Sequence, residues 1–340
     1  MSSNQLITAH THAPLLGAYA LAPDDRRAED AFYAGLRDLP QLGGLELPFT
    51  GTLHRDDEPW LLRQLAPRWH YVVTLLPGTM QQVAARPGWG LASTDEPGRQ
   101  AALAFVRRAA DAVARLNDHL GRQAVLAVEV HSAPAAQPST PTAVQAFTDS
   151  LRQVQAFPWG GAELLVEHCD AFQPGHPHHK GFLPLRDELA AVAAVEASGG
   201  APVGLVINWA RSVLETHRVE TATAHLLEAR QHGRLRGICF SGCSGEATPY
   251  GPWHDSHMPH ASSPGTPHGA PGSLLTPAHI EAAGMACHDA PLLFTAAKIG
   301  IRPADAGVEA RLATASELLQ LIAGAWGAPA TDGRPSRQTA

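Results

Sequence analysis

The stretch AVLAVEVHSAPAAQPSTPTAVQAFTDSLRQVQAFPWGGAELLVEHC, residues 124–169, decides how the chain folds. Its first eight residues are short, valine-rich and end at a Ser-Ala-Pro turn, which predicts a strand. Residues 142–155 then place Val144, Phe147, Leu151 and Val154 at three- and four-residue spacings, which predicts a helix with one apolar face. A second apolar run, 163–169, closes the stretch. Two strands joined through a helix form a parallel pair, because the helix carries the chain back to the start of the next strand.

The unit recurs. Short apolar or β-branched runs lie at 14–21, 44–48, 70–76, 124–131, 163–169, 202–209, 235–241 and 291–298, with helical spacing clearest at 98–120, 142–155, 185–197, 219–233 and 308–324. Eight strands alternating with helices predict one α/β domain, a (β/α)8 TIM barrel over residues 1–328, with 329–340 as a disordered tail. The rival, an open doubly wound sheet, announces itself by a glycine-rich loop after an early strand. Gly17 is isolated and Gly43-Gly44 precede a strand, so no nucleotide cofactor is expected. Long connections at 170–184 and 242–276 follow the fifth and seventh strands, which puts both on the face where such barrels do chemistry.

Bulk properties narrow the partners. Of 340 residues, 44% are hydrophobic and 17% charged, enough to bury a large core, and the net charge of -7 offers no basic field for nucleic acid. No apolar run approaches the ~20 residues needed to span a bilayer, and the first residues lack a leader pattern, so a cytoplasmic protein is expected. Cys169, Cys239, Cys243 and Cys287 are too scattered for a disulfide framework and read as buried, inert thiols.

Strand alternation sorts the polar residues. With Val128, Val130, Leu164, Val166, Leu45, Leu47, Ile238 and Phe240 packed toward helices, Glu46, Glu129, His131, Glu167, Asn208, Cys239, Ser241 and Lys298 face the barrel axis. A core needing only to be filled would carry Val, Ile or Leu there, since an unpaired buried charge costs several kcal/mol. Some of these readings have plain alternatives: Glu129 and Lys298 as a structural ion pair, Glu46 as a loop cap. His168 faces the helices, Asp170 begins a loop, and the HPHH run at 176–179 reads as solvated loop. Asp255 and His257, two apart in the loop after the seventh strand, are able to offer an oxygen and an imidazole to one cation.

Together EVHSAP (129–134), LLVEHCD (164–170), KGFL (180–183), INWARS (207–212), FSG (240–242) and the Trp253, Asp255, His257 pattern resemble an uncharacterised bacterial branch of the xylose isomerase-like superfamily. That superfamily of (β/α)8 barrels includes sugar isomerases, epimerases, inosose dehydratases and metal-dependent apurinic endonucleases. The resemblance implies that Glu167 stands where a bridging metal carboxylate is common, and that Asp255-x-His257 matches the endonuclease branch's metal pair. The chain departs from the pattern where Asn208-Trp209-Ala210-Arg211 replaces Asp-x-x-His, Ser241 a histidine and Lys298 a carboxylate. What remains implies at most one divalent ion (zinc, manganese, cobalt or magnesium) held by Glu167, Asp255 and His257, with His131 in reserve.

The expected function is a sugar or polyol-derivative isomerase or epimerase that moves a proton next to a carbonyl. Glu129 and Glu167 act as base or ligand, His131 as proton shuttle and Lys298 as electrophile. Glu46, Asn208, Arg211 and Ser241 bind substrate polar groups, and Trp209 and Trp253 stack on a sugar ring. The alternatives are a Lys298 Schiff-base lyase or aldolase, metal-assisted hydrolysis, and a non-catalytic sugar-binding barrel. The partner expected is a small carbohydrate-like molecule, with neither nucleic acid nor membrane, and self-association into a homo-oligomer is left open.

Overall fold

The computed structural model describes residues 13–135 and 138–327. Eight parallel strands close in sequence order into one barrel: β1 Leu15–Leu16, β2 Gly44–Pro48, β3 His70–Thr74, β4 Val125–Val130, β5 Glu163–His168, β6 Gly204–Asn208, β7 Leu235–Phe240 and β8 Phe294–Ala297. Around them run α1 Arg26–Arg37, α2 Glu58–Gln64, α3 Leu76–Ala85, α4 Glu96–Leu120, α5 Pro141–Gln155, α6 Leu185–Ala197, α7 Trp209–Thr216, α8 Glu220–Gln231, α9 Pro277–Cys287 and α10 Val308–Gly327. The expected tail at 329–340 lies outside the described residues. No helix among those described is long and apolar enough to cross a membrane.

Local sequence sets where the helices start. Asp25, Asp57, Asp95, Thr140 and Thr276 each accept a hydrogen bond from a backbone N–H in the first turn of the helix that follows, and four of these helices carry proline in that turn. Gly121 ends α4 at φ 64°, a left-handed position that a residue with a Cβ rarely adopts. The first run shrinks to two strand residues because the chain turns into a 3-10 helix at Ala18–Ala20. Likewise Trp209, read at the end of the sixth run, is the first residue of α7.

Alternation then builds two apolar layers. Leu45, Leu47, Val128, Val130, Leu164, Val166, Ile238 and Phe240 pack into the shell between barrel and helices. Leu15, Val72, Ala127, Leu165, Val206, Cys239, Phe294 and Ala296 fill the barrel's lower interior. Truncating one of the large buried residues of the outer shell, such as Phe147 of α5, would cost about 3–5 kcal/mol through lost burial and a residual cavity. Above the inner plug, toward the strands' C-terminal ends, the inward side chains turn polar.

Candidate active site at the mouth of the barrel

Glu167, at the end of β5, is the hub. Its Oε2 lies 2.9 Å from His131 Nε2, and its Oε1 accepts from Arg211 Nη1, from Asn208 Nδ2 at 3.3 Å and from Lys298 Nζ at 3.4 Å. Lys298 also pairs with Glu46 Oε1 at 2.5 Å. Asn208 spends its other end capping α7, where its Oδ1 accepts from Arg211 N at 3.3 Å and from Ser241 Oγ at 3.1 Å. Gly17 makes room for this packing: a Cβ there would sit 3.2 Å from the Lys298 side chain and 3.4 Å from Glu46.

Burial separates the carboxyls. Desolvation, then the charges of Glu167 and Glu46, push Glu129 well above the usual carboxylate range. Desolvation would raise Glu167 too, but Arg211 and Lys298 more than offset it and hold Glu167 ionised, well below that range. Lys298 loses stability as a cation by burial, yet Glu167 and Glu46 raise it well above its ordinary value. It is therefore an ammonium, not the depressed, nucleophilic amine that Schiff-base chemistry requires. Burial lowers His131, so the ring is neutral. With Glu167 ionised, His131 Nε2–H donates to it, which leaves Nδ1 as a lone-pair acceptor.

Above the hub, the loop after β7 brings in Asp255. Its Oδ2 pairs with Lys180 and lies 3.2 Å from Arg211 Nε, so Arg211 bridges Glu167 and Asp255. Burial opposes ionisation of Asp255, but Lys180 and then Arg211 hold it well below the usual range. His257 Nδ1 is 3.6 Å from Asp255 Oδ1, and burial pushes its imidazole down to about 4. Lys180 was not foreseen. It reaches Asp255 because Asp170 Oδ2 accepts from the backbone N–H groups of His179 at 2.6 Å and Lys180 at 2.9 Å, folding the loop back over the barrel.

The expected metal site does not assemble from these residues. Glu167 is enclosed by Arg211 and Lys298, and a divalent ion about 4 Å from either would meet about 8 kcal/mol of repulsion at an effective dielectric near 20. Asp255 and His257 face each other but supply two ligands, one short of a three-ligand catalytic site. His131, Glu167 and Cys169 do place ligand atoms within 4.8 Å of one another, although burial raises the Cys169 thiol well above its ordinary value.

Two aromatic expectations are corrected. Trp209 is buried in the apolar shell outside the barrel, tilted against His279 with ring centroids 5.5 Å apart, as expected of the residue that follows inward-facing Asn208. Trp253 stacks on His217 at 4.1 Å, and His217 on His176 at 4.0 Å, so that face of the indole is already covered. The HPHH loop is thus partly a docking surface rather than solvated chain alone: His176 joins the stack, and His179 Nε2 lies 2.8 Å from the Trp253 carbonyl oxygen. Trp253, His257 and His217 have φ of 49°, 54° and 58°, the non-glycine residues with positive φ among those described. Such strain concentrates where loops are held in place by their surroundings.

Tyr19 is a second residue not foreseen. Its hydroxyl is raised well above 10 by burial and then by Glu46, and its ring lines a cavity of about 160 Å³ bounded also by Tyr33, Leu47, His54 and Arg55. Among the described residues, five buried atoms around the hub make no hydrogen bond: Glu46 Oε1, which has its ion pair with Lys298, Glu129 Oε2, His131 Nδ1, and Asp255 Oδ1 and His257 Nδ1, which face each other at 3.6 Å.

Similarity to solved structures supports the barrel. A putative xylose isomerase from Rhodospirillum rubrum superposes with a TM-score of 0.60 at 13% identity, covering 93% of this chain and 99% of that one. A D-psicose 3-epimerase in the presence of D-fructose gives 0.55 at 11% over 92% and 99%. An AP endonuclease, family 2, from Brucella melitensis gives 0.54 at 14% over 88% and 96%. In sequence, the uncharacterized protein STM3670 of Salmonella typhimurium is 34% identical over 291 residues, 84% of this chain and 88% of that protein. Residues 15–314 match the family described as Domain of unknown function (DUF4862), and the chain belongs to that family, with the barrel fold these structures share.

Proposed function

We propose that this barrel is a cytoplasmic isomerase or epimerase of a sugar or polyol derivative, acting by proton transfer next to a carbonyl without a metal at the barrel axis. The observation that carries the proposal is the set of buried atoms without a hydrogen bond that ring a charged hub, Glu129 Oε2 and His131 Nδ1 foremost. A buried polar atom without a partner costs about 1–3 kcal/mol, and a polyhydroxyl ligand supplies hydroxyls to satisfy several at once. The printed names of structural neighbours, among them a D-tagatose 3-epimerase-like protein and a sugar phosphate isomerase/epimerase, support the same substrate class.

Each residue then has a task. Glu129, the carboxyl raised furthest toward a useful basicity and with Oε2 free, takes the proton from the carbon beside the carbonyl. Charge developing on the carbonyl oxygen is met by the Lys298 ammonium and the Arg211 guanidinium, fixed in advance by Glu167 and Glu46. His131 Nδ1 accepts the proton of the neighbouring hydroxyl. Glu167 itself is committed to holding these groups, so it positions them and does not serve as the base. Return of the proton by Glu129 to the former carbonyl carbon isomerises the substrate; epimerisation would need a second donor, on the opposite face of the carbon that lost its proton.

The test is solvent hydrogen exchange. The full-length protein is incubated in deuterium oxide with aldoses, ketoses and inososes, and label beside the carbonyl is read by NMR. Label that appears with the wild type and disappears with Glu129→Gln supports the proposal. Binding without label, across the panel, would instead identify a sugar-binding barrel and end the enzymatic reading.

A further inference from the structure

Behind β5, on the side away from the barrel axis, lies a polar cluster that takes no part in this chemistry. His168, Glu188, Ser212, Glu215 and His225 are buried where β5 meets α6, α7 and α8. We propose that His168, Glu215 and His225 form a buried three-ligand metal site of the zinc type, separate from the barrel mouth.

Three observations converge. First, the ligand atoms are near one another. His168 Nε2 is 3.1 Å from Glu215 Oε2, His225 Nε2 is 3.9 Å from Glu215 Oε1, and one ligand atom from each residue falls in a group spanning no more than 4.8 Å. Tetrahedral zinc with bonds of about 2.0–2.2 Å has ligand-to-ligand edges of about 3.3–3.6 Å, between the two measured separations.

Second, both rings are held by their other nitrogen. His168 Nδ1 lies 2.8 Å from Glu188 Oε2, itself fixed by the Ser132 hydroxyl at 2.5 Å, and His225 Nδ1 lies 3.1 Å from Ser212 Oγ. His168 Nε2–H donates to Glu215; with both Nδ1 atoms held outward, loss of that proton leaves both Nε2 lone pairs facing the space beside the Glu215 carboxylate. Imidazoles oriented in this way by a carboxylate or hydroxyl are the usual companions of a bound metal.

Third, the charges suit a divalent ion. Glu188 and Glu215 carry two negative charges, and among the described residues no lysine or arginine pairs with either carboxylate; the cation facing them is His168 itself, which against its burial Glu188 and then Glu215 raise to about 10, and a divalent ion at Nε2 would replace that proton. This is the reverse of the barrel mouth, where Arg211 and Lys298 already supply the positive charge. The donor set of two imidazoles and a carboxylate, without thiolate, suits zinc, and the Gln173 amide N–H helps fix that carboxylate by donating to Glu215 Oε1 at 3.1 Å.

The test uses full-length protein made without a histidine tag, equilibrated with zinc sulfate and then dialysed against metal-free buffer. About one zinc per chain should remain, with an X-ray absorption spectrum showing only nitrogen and oxygen neighbours, two of them imidazole. His225→Ala and Glu215→Gln should lose the zinc, and Glu167→Gln should keep it. Sulfur in the spectrum, or loss of zinc with Glu167→Gln, would move the ion to His131, Glu167 and Cys169 and overturn the assignment. Retention of no zinc by the wild type would overturn it as well, leaving His168 to carry a proton between two carboxylates. The absorption spectrum needs no variant, so it decides the matter even where His225→Ala fails to fold.

Discussion

Replacing Arg211 by methionine removes the side chain that bridges Glu167 of the hub to Asp255 of the loop above it. The guanidinium is 1% exposed and its partners Glu167 and Asp255 are 0% and 3% exposed, so both carboxylates lose a partner where water does not replace it. Removing one member of a buried pair costs about 3–5 kcal/mol. Asp255 retains Lys180, and Glu167 retains Lys298, Asn208 and His131, which places Arg211→Met toward the lower end of that range. The sharper quantity is the coupling. In Glu167→Gln the surviving amide no longer demands a cation, so adding Arg211→Met to it should cost about 2–3 kcal/mol less than in the wild type. Urea denaturation of the wild type, both single variants and the double variant measures this. A double variant whose loss equals the sum of the singles to within about 0.5 kcal/mol would refute the claim that Glu167 is held ionised by Arg211.

Other expectations follow from the same geometry. Glu129 must be deprotonated to act as base and its pKa is raised, so exchange activity should rise with pH through a limb above the ordinary carboxylate range; a flat profile from acid to neutral pH would remove Glu129 from that role. Asp255 has the opposite displacement: its folded pKa is depressed, so its stabilising contribution is present above the unfolded value and lost only as pH falls through the lower folded one. Asp255→Asn should therefore flatten the acid end of the stability curve, measured by urea midpoints across pH. Adding manganese, magnesium or cobalt to the exchange assay should leave the rate unchanged, and a tenfold or greater rise would restore a metal to the barrel axis (about 1.4 kcal/mol in barrier).

How much of this was legible in the sequence differs with the range of the interaction involved. Period-two alternation is local, and it correctly sent Glu46, Glu129, Glu167 and Lys298 inward and His168 toward the helices. Helix caps such as Asp95 and Thr140 are equally local. Ion pairs are not. Arg211 could be read as a substrate binder from its place after β6, but that Glu167 and Asp255 hold its guanidinium depends on residues 44 positions away on either side. Lys180 lay within a loop whose path is set by Asp170, and nothing in the run HPHHK reveals that its backbone N–H groups fold onto that carboxylate. Trp209 was misplaced although alternation already pointed it away: it follows Asn208, which faces the axis, and as the first residue of α7 it packs outward.

The two polar clusters are joined through a single strand end, which gives the back-side site a mechanical meaning. Successive residues of β5 point to opposite faces, so Glu167 and His168 share one peptide while facing the barrel axis and the helices respectively. His168 is anchored on both ring nitrogens, to Glu188 of α6 and Glu215 of α7. Glu215 also accepts from the backbone of Ala171 at 3.0 Å, at the root of the loop that delivers Lys180 to Asp255. A perturbation of His168 should therefore shift the Glu167 hub and loosen the Lys180 loop together, although His168 touches neither substrate position. His168→Asn keeps a polar side chain but cannot span both carboxylates. It should lower exchange activity while leaving the amide-exchange protection of β1, β2 and β8 intact, and raise amide exchange in 170–183 and at the end of β5. Amide exchange rising evenly across all eight strands would show that His168 only supports the fold.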